Sequence, residues 1–160
     1  VNLSRKHLSS DMLVDNLMTI LGKYQVPVEL VEIELTESAF FKDTQHLTSV
    51  MKQLKGRGFV LSIDDFGTGY STLWTLLEMP VDLLKFDKSF LNSWEAERNA
   101  TVITGMIQVA KKLGIKTLME GIETKEQVEL LKEVHCDLGQ GYFYAKPLPI
   151  QIFEEQWVRQ

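Results

Sequence analysis

Cysteine is almost absent. Cys136 is the only one in 160 residues, which excludes an internal disulfide and any CxxC metal knuckle. So little use of thiols fits a reducing compartment, most simply the cytosol. Long apolar runs are lacking too: none approaches the ~20 residues of a membrane span, and no signal-peptide pattern opens the chain. Nor is there an excess of positive charge. Lys plus Arg come to 17 and Asp plus Glu to 22, a net charge of −5, which argues against a grip on a long nucleic-acid backbone. A small phosphate ligand stays within reach where metal ions reverse the local charge. No linker or low-complexity stretch divides the chain. What is present is 44% hydrophobic and 24% charged residues in 18.3 kDa, the make-up of one domain with a packed core. The chain opens on Val1 rather than Met, so a segment upstream is expected.

Two kinds of segment alternate along the chain. Short β-rich runs fall at Leu30–Thr36, Phe59–Asp65, Leu83–Asp87, Ile115–Glu120 and Gly141–Ala145. Between them the apolar residues recur with helical period. Ser10 or Asp11 can cap a helix carrying Leu13, Leu17, Met18 and Leu21, with Gly22 as its stop. Asp43 can cap a second, with Leu47, Val50, Met51 and Leu54 on one stripe before Gly56. A longer helix follows Trp94, with Val102, Ile103, Met106, Ile107, Ala110 and Leu113, closed by Gly114. Thr124 and Gln127 form a capping box ahead of Val128 and Leu131. A β-then-helix unit repeated in this way calls for a parallel sheet with helical crossovers. Either an open doubly wound sheet or a (β/α) TIM-type barrel satisfies it. No GxGxxG follows the first strand, which weakens the nucleotide-binding form of the open sheet.

The predicted strands end in chemistry. Asn2 lies in the opening VNLS, Glu34 and Glu37 close IELTE, and Asp64 and Asp65 close SIDD. Lys85 and Asp87 sit in LKFD, Glu120 and Glu123 in MEGIE, and Gln140 begins QGYFY. One acid at a strand end has an ordinary reading as a solvated loop charge, but a succession of them reads as the C-terminal rim on which barrels build active sites. Converging carboxylates raise one another's pKa unless cations sit among them. Oxygen ligands without a His or Cys cluster suit hard cations such as Mg²⁺, Mn²⁺ or Ca²⁺. Adjacent strand residues point to opposite faces, so Asp64 and Asp65 can share a site only where the strand ends, and the glycines of Phe66-Gly67-Thr68-Gly69-Tyr70 permit that turn. Such a pair suits two-metal hydrolysis. Lys85, inward among the acids, could steady an activated water or a phosphate oxygen. Asp65-Phe66-Gly67 also spells the kinase DFG, but no HRD loop or Gly-rich ATP loop accompanies it.

The series VNLS, IELTES, DDFGTGYSTL, LLKFDKSF, MEGIET and QGYFYAKPL resembles the EAL domain of bacterial cyclic di-GMP signalling, in order and spacing, over essentially the whole chain. The resemblance implies a (β/α)₈ barrel and a phosphodiesterase that cuts cyclic di-GMP to linear pGpG with two Mg²⁺ or Mn²⁺ ions, Ca²⁺ being expected to inhibit. By motif, Asn2, Glu34, Asp64, Asp65 and Glu120 correspond to metal ligands, Lys85 to the lysine on the attacking water, and Gln140 to the glutamine beside it. Glu37 and Glu123 correspond to acids that hold the loop after the Asp pair and support the metal site. Phe66, Gly67, Thr68 and Gly69 begin the loop that, with a short helix over Ser71–Met79, links metal binding to dimerisation. The Glu-Ala-Leu that names the family has no counterpart here. VNLS matches the end of the third strand, so an incomplete EAL barrel of about six of eight strands is expected over residues 1–160, N-terminally truncated, with the first two strands absent. A homodimer or strand-exchanged oligomer then covers the open edges. The resemblance further implies an upstream sensor or GGDEF-type domain in a parent protein, which can itself be membrane-anchored while this domain stays cytosolic. The alternative is a catalytically inactive EAL module that binds cyclic di-GMP or a partner protein. A third reading is another divalent-metal barrel enzyme that uses Lys85 as a base.

Overall fold

The computed structural model of the chain describes residues 1–8, 10, 12–36, 44–67, 73–91 and 96–158. Its strands are β1 (Asn2–Leu3), β2 (Glu32–Thr36), β3 (Val60–Phe66), β4 (Leu83–Phe86), β5 (Lys116–Met119) and β6 (Leu138–Gly139). The helices are α1 (Arg5–Leu8), α2 (Leu13–Tyr24), α3 (Thr44–Gly56), α4 (Leu73–Glu78), α5 (Ala96–Lys112), α6 (Lys125–Glu133) and α7 (Ile150–Phe153). The six strands form one sheet in the order 1-2-3-4-5-6, every pair parallel. A doubly wound sheet reverses its strand order part-way. This one never does, so the architecture is that of a TIM-type barrel, here six consecutive strands of it.

Strand parity divides the sheet into two chemically different faces. One face carries Ile33, Leu35, Leu61, Ile63, Leu84, Phe86 and Met119, all wholly buried. Against it lie the apolar stripes of the helices: Leu47, Met51 and Leu54 from α3, Ile103, Ile107 and Ala110 from α5, and Val128 and Leu131 from α6. The other, concave face carries Glu34, Ser62, Asp64 and Lys85. Burying a mid-sized apolar side chain is worth roughly 1.5–3 kcal/mol, so the helix-facing layer drives folding and the concave layer is free to carry charge.

Several expectations need correction. Gly22 does not end α2. The helix runs on to Tyr24 and stops at Gln25, whose left-handed backbone (φ 54°, ψ 38°) turns the chain out. Its N-cap is Met12, without a side-chain cap, while Asp11, like Asp43 and Trp94, lies outside the described residues. Val102 and Leu113 are exposed rather than part of the α5 core stripe. The aromatic run Gly141–Ala145 is no strand. The last strand is the pair before it, and Gly141 packs so tightly on the Ile122 backbone that a Cβ would collide with its N and O atoms. The chain then curls, with Phe143 N–H donating to the Ile122 carbonyl at 2.9 Å and Tyr144 N–H to the Gly141 carbonyl at 3.1 Å. Tertiary packing thus overrides β-propensity there. The Thr124–Gln127 capping box is present on both sides.

Two aspartates just before strands clip the sheet at the end away from the rim. Asp82, ahead of β4, accepts the Leu61 N–H of β3 at 2.9 Å and pairs with Lys55. Asp137, ahead of β6, accepts the Thr117 N–H of β5 at 2.9 Å and its hydroxyl at 2.8 Å. Partial burial pushes the Asp137 pKa up, but the Thr117 bonds and the nearby Lys111 and Lys116 outweigh it and hold the carboxyl below the ordinary Asp value. Asp137→Ala leaves the N–H and hydroxyl of the wholly buried Thr117 without their carboxylate acceptor and is expected to cost about 1–3 kcal/mol in urea unfolding at neutral pH. A depressed carboxyl contributes above its unfolded pKa and loses that contribution as pH falls through its folded pKa. The gap between wild type and variant should therefore narrow on acidification below the usual carboxylate range.

Candidate metal centre and active site

Three strand ends converge on one lysine. Lys85 leaves β4 toward the concave face and is buried, its side chain 8% exposed. Its Nζ lies 2.8 Å from Glu34 Oε1 on β2, 2.8 Å from Glu120 Oε1 just beyond β5, and 3.3 Å from Asp64 Oδ1 on β3. Burial alone lowers a lysine pKa. Here the hydrogen bonds to Glu120 and Glu34 and the charges of Glu120 and Asp64 outweigh it, so Lys85 is held well above the ordinary lysine range. It is an ammonium that donates to these carboxylates.

Asp64 and Asp65 reach the same site by a device other than the expected one. The strand does not end at the pair. It runs on to Phe66, and the ladder to β4 shifts register between Ile63 and Phe66. Asp65 sits in the left-handed region at φ 55°. The shift is a β-bulge, which adds one residue and re-aims a side chain, so both carboxylates turn to one face inside the strand. Oxygens of Asp64, Asp65 and Glu120 all lie within 4.8 Å of one another. Asp64 Oδ1 is buried and, beyond its 3.3 Å ion pair with Lys85, makes no hydrogen bond. Among the described residues, four carboxylates gather about this one ammonium, so the cluster is rich in negative charge. A buried carboxylate oxygen held only by that one ion pair, in an all-oxygen cluster of this charge, fits a hard divalent cation.

The remaining rim residues fall around this cluster. Asn2 is exposed on β1 and pairs in register with Glu34. Glu123 and Gln140 are exposed and line, with Glu120, Asp87, Lys88 and Tyr142, a cavity of about 340 Å³ beside the cluster. Asp87 is no free rim acid: its Oδ1 accepts the Ser89 N–H at 2.8 Å and caps the 3₁₀ turn Lys88–Phe90. Glu37, Thr68 and Gly69 lie outside the described residues. Phe66 is buried edge-on against Phe86, and Gly67 is exposed at φ 94°.

The profile of the EAL domain matches residues 1–147. This chain belongs to the EAL domain family. It is 38% identical over 156 residues to the cyclic di-GMP phosphodiesterase NbdA of Pseudomonas aeruginosa, covering 97% of this chain and 20% of that protein. With the signaling protein YkoW of Bacillus subtilis it shares 37% over 161 residues, covering 100% and 20%. Among solved structures, the PaMucR phosphodiesterase in complex with c-di-GMP matches with a TM-score of 0.88 at 32% identity, over 96% of this chain and 62% of that one. The chain thus spans 20% of the length of both curated relatives. No described helix of this EAL chain is long and apolar enough to cross a membrane.

Sequence reasoning missed Lys88, Tyr142 and Gly121, which complete the cavity with Glu120. A signal was present at two of the acidic strand ends: Gly67 follows Asp65 by two residues and Gly121 follows Glu120 directly, both at positive φ.

Left-handed backbone costs a residue other than glycine roughly 1–2 kcal/mol, and removing one of four crowded acids relieves repulsion. Asp65→Gly in this EAL domain is therefore expected to raise the unfolding midpoint in EDTA while weakening Mn²⁺ binding, read by thermal unfolding and by titration. Lys85→Met leaves three inward carboxylates without their cation, and stability in EDTA should fall by about 3–5 kcal/mol. Added Mg²⁺ or Mn²⁺ should restore part of that loss.

Proposed function

We propose that this chain carries the metal-binding part of a cyclic di-GMP phosphodiesterase domain that hydrolyses its substrate to linear pGpG in bacterial second-messenger signalling. The observation that carries the reading is the convergence of Glu34, Asp64, Asp65 and Glu120 around Lys85 at the strand ends. Relatives named for this activity and a related structure in complex with c-di-GMP support it.

The two ions are Mg²⁺ or Mn²⁺, with Asn2, Glu34, Asp64, Asp65 and Glu120 to hold them. When bound they supply Lewis acidity and charge neutralisation at the phosphodiester. The rest is done by the chain. Lys85, kept as ammonium by its carboxylate partners, donates to the attacking water and holds it in line with the scissile bond. Gln140 assists from the cavity beside Glu120, and Glu123 supports the metal site from the same wall. Glu37 and the loop from Phe66 through Gly69 support the acid pair. Membership of the EAL family argues against the other barrel enzyme in which this lysine is the base.

We propose in addition that the barrel is closed between β6 and β1, each of which has one neighbour among the described strands, in a homodimer or strand-exchanged oligomer or by barrel strands elsewhere in a longer protein. Tyr142, Leu138, Phe153 and Trp157 are exposed beside β6 and suit such a contact. The same longer protein carries a sensor or GGDEF-type domain, and this part works in the cytosol.

The test is incubation of the full-length protein with cyclic di-GMP and Mg²⁺ or Mn²⁺, with pGpG followed by chromatography and EDTA as control. Metal-dependent pGpG is expected, with none in Ca²⁺. Asp64→Asn should abolish it, and a fully active variant would refute the assignment. Cyclic di-GMP binding without metal and without product would replace the enzyme by a binding module.

A further inference from the structure

The cluster is built from separate strand ends, so something must set the distance between the Asp64–Asp65 pair and Glu120. The 3₁₀ turn Lys88–Phe90 touches the backbone beside both. On one side the Phe90 ring lies directly on Gly67, two residues past Asp65: a Cβ there would stand 2.6 Å from Phe90 Cε2 and closer still to Cζ. On the other side Lys88 lies on Gly121, the residue after Glu120, where a Cβ would stand 2.5 Å from Lys88 Cβ. Both glycines have positive φ, 94° and 68°, so each strand end leaves the rim by a backbone route open mainly to glycine, pressed against the same turn.

The turn is itself held on several sides. Asp87 caps it at Ser89, and the Phe90 and Leu91 N–H groups close it onto the Asp87 and Lys88 carbonyls at 3.2 and 2.9 Å. Asn99 of α5 donates to the Phe90 carbonyl at 3.3 Å. The Phe90 ring meets Phe86 edge-on at 5.9 Å, and Phe86 meets Phe66 edge-on at 6.1 Å, which carries the contact back to the bulge. The turn also follows directly from β4, the strand that sends Lys85 into the cluster.

We propose that Lys88–Phe90 is a positioning brace for the metal centre: Phe90 acts through Gly67 on Asp64 and Asp65, and Lys88 acts through Gly121 on Glu120. The strand that supplies the central ammonium thus also spaces the carboxylates on either side of it. The proposal rests on the metal-centre reading above. It makes Phe90 and Lys88 positioning residues, neither of which needs to touch substrate.

Two measurements in the full-length chain test it. In EDTA, thermal unfolding of Gly67→Ala, Phe90→Ala and the double variant forms one cycle, and Gly121→Ala with Lys88→Gly forms a second. Each glycine substitution should do less harm once its facing side chain is gone, because the added methyl then has only its backbone strain to bear. In parallel, Mn²⁺ affinity is read by electron paramagnetic resonance. Phe90→Ala should lose about tenfold or more, and Phe90→Leu should recover part of it. Phe59→Leu, a core change at the far end of β3, should leave the affinity unchanged. Additive cycles overturn the brace, and so does wild-type Mn²⁺ affinity in folded Phe90→Ala or an equal loss in Phe59→Leu. A wild-type chain that binds no Mn²⁺ overturns the metal-centre reading instead, while the cycles still report whether the contacts to the turn are real.

Discussion

The ion pairs of Lys85 are the interaction on which the rest of this structure depends. One buried ammonium holds carboxylates from three different elements: Glu34, Asp64 and Glu120. Burying an isolated charge costs several kcal/mol, and neither the lysine nor the acids would settle at the concave face alone. Together they satisfy one another, and in doing so draw β2, β3 and the end of β5 toward β4. The balance is deliberately incomplete. With Asp65 added, the acids among the described residues outnumber the ammonium four to one, and that excess is the chemical capacity for divalent cations. A pair neutralised in full would be a better structural clip and a poorer metal centre.

Such a site is tolerable only because stability is supplied elsewhere. The helix-facing side of the sheet is buried and, apart from Thr117, apolar, from Ile33 and Leu35 through Ile63 and Leu84 to Met119. Alternation along each strand separates this layer from the charged one by a single residue. At the opposite ends of the strands, Asp82 and Asp137 accept backbone N–H groups of neighbouring strands, so those acids hold the sheet together. Acids therefore do two kinds of work here, decided by which end of the strand they occupy. Those at the bottom are matched by donors. Those at the rim are crowded against one another, and one of them, Asp64, keeps a buried oxygen without a hydrogen bond.

Precision at the rim is obtained by backbone geometry that departs from the regular strand. The bulge at Asp64–Asp65 places two consecutive carboxylates on one face, at the cost of a left-handed aspartate. Strained φ/ψ of this kind persists only where the surroundings over-determine it. The aromatic contacts running from Phe66 through Phe86 to Phe90, and the close seat of Phe90 on Gly67, are the surroundings that do so. Strain and support lie within a few residues of each other, as expected where a site must stay rigid.

Much of this was legible from residue order alone. The β-then-helix rhythm implied a parallel sheet, the capping box at Thr124 marked the start of α6, and polar residues at successive strand ends marked the rim, since each is a local signal carried within a few residues. Family membership followed from six such motifs in order. Periodicity left barrel and doubly wound sheet both open, the polar strand ends and the family resemblance pointed to the barrel, and the unreversed strand order bears that out. The fate of Gly141–Ala145 was not local: its β-propensity yields to the close packing of Gly141 on Ile122. The sequence could say that Asp64 and Asp65 belong to one site, but the bulge that joins them depends on how β3 pairs with β4. Asp87 does lie at the rim, but its role in capping the turn became visible only in the structure. Composition and order determined which groups are available and along which strands they lie. Tertiary structure alone decided which of them meet, because a distance of 2.8 Å between Lys85 and Glu34, 51 residues apart, is set by the pairing of whole strands and by no neighbour in sequence.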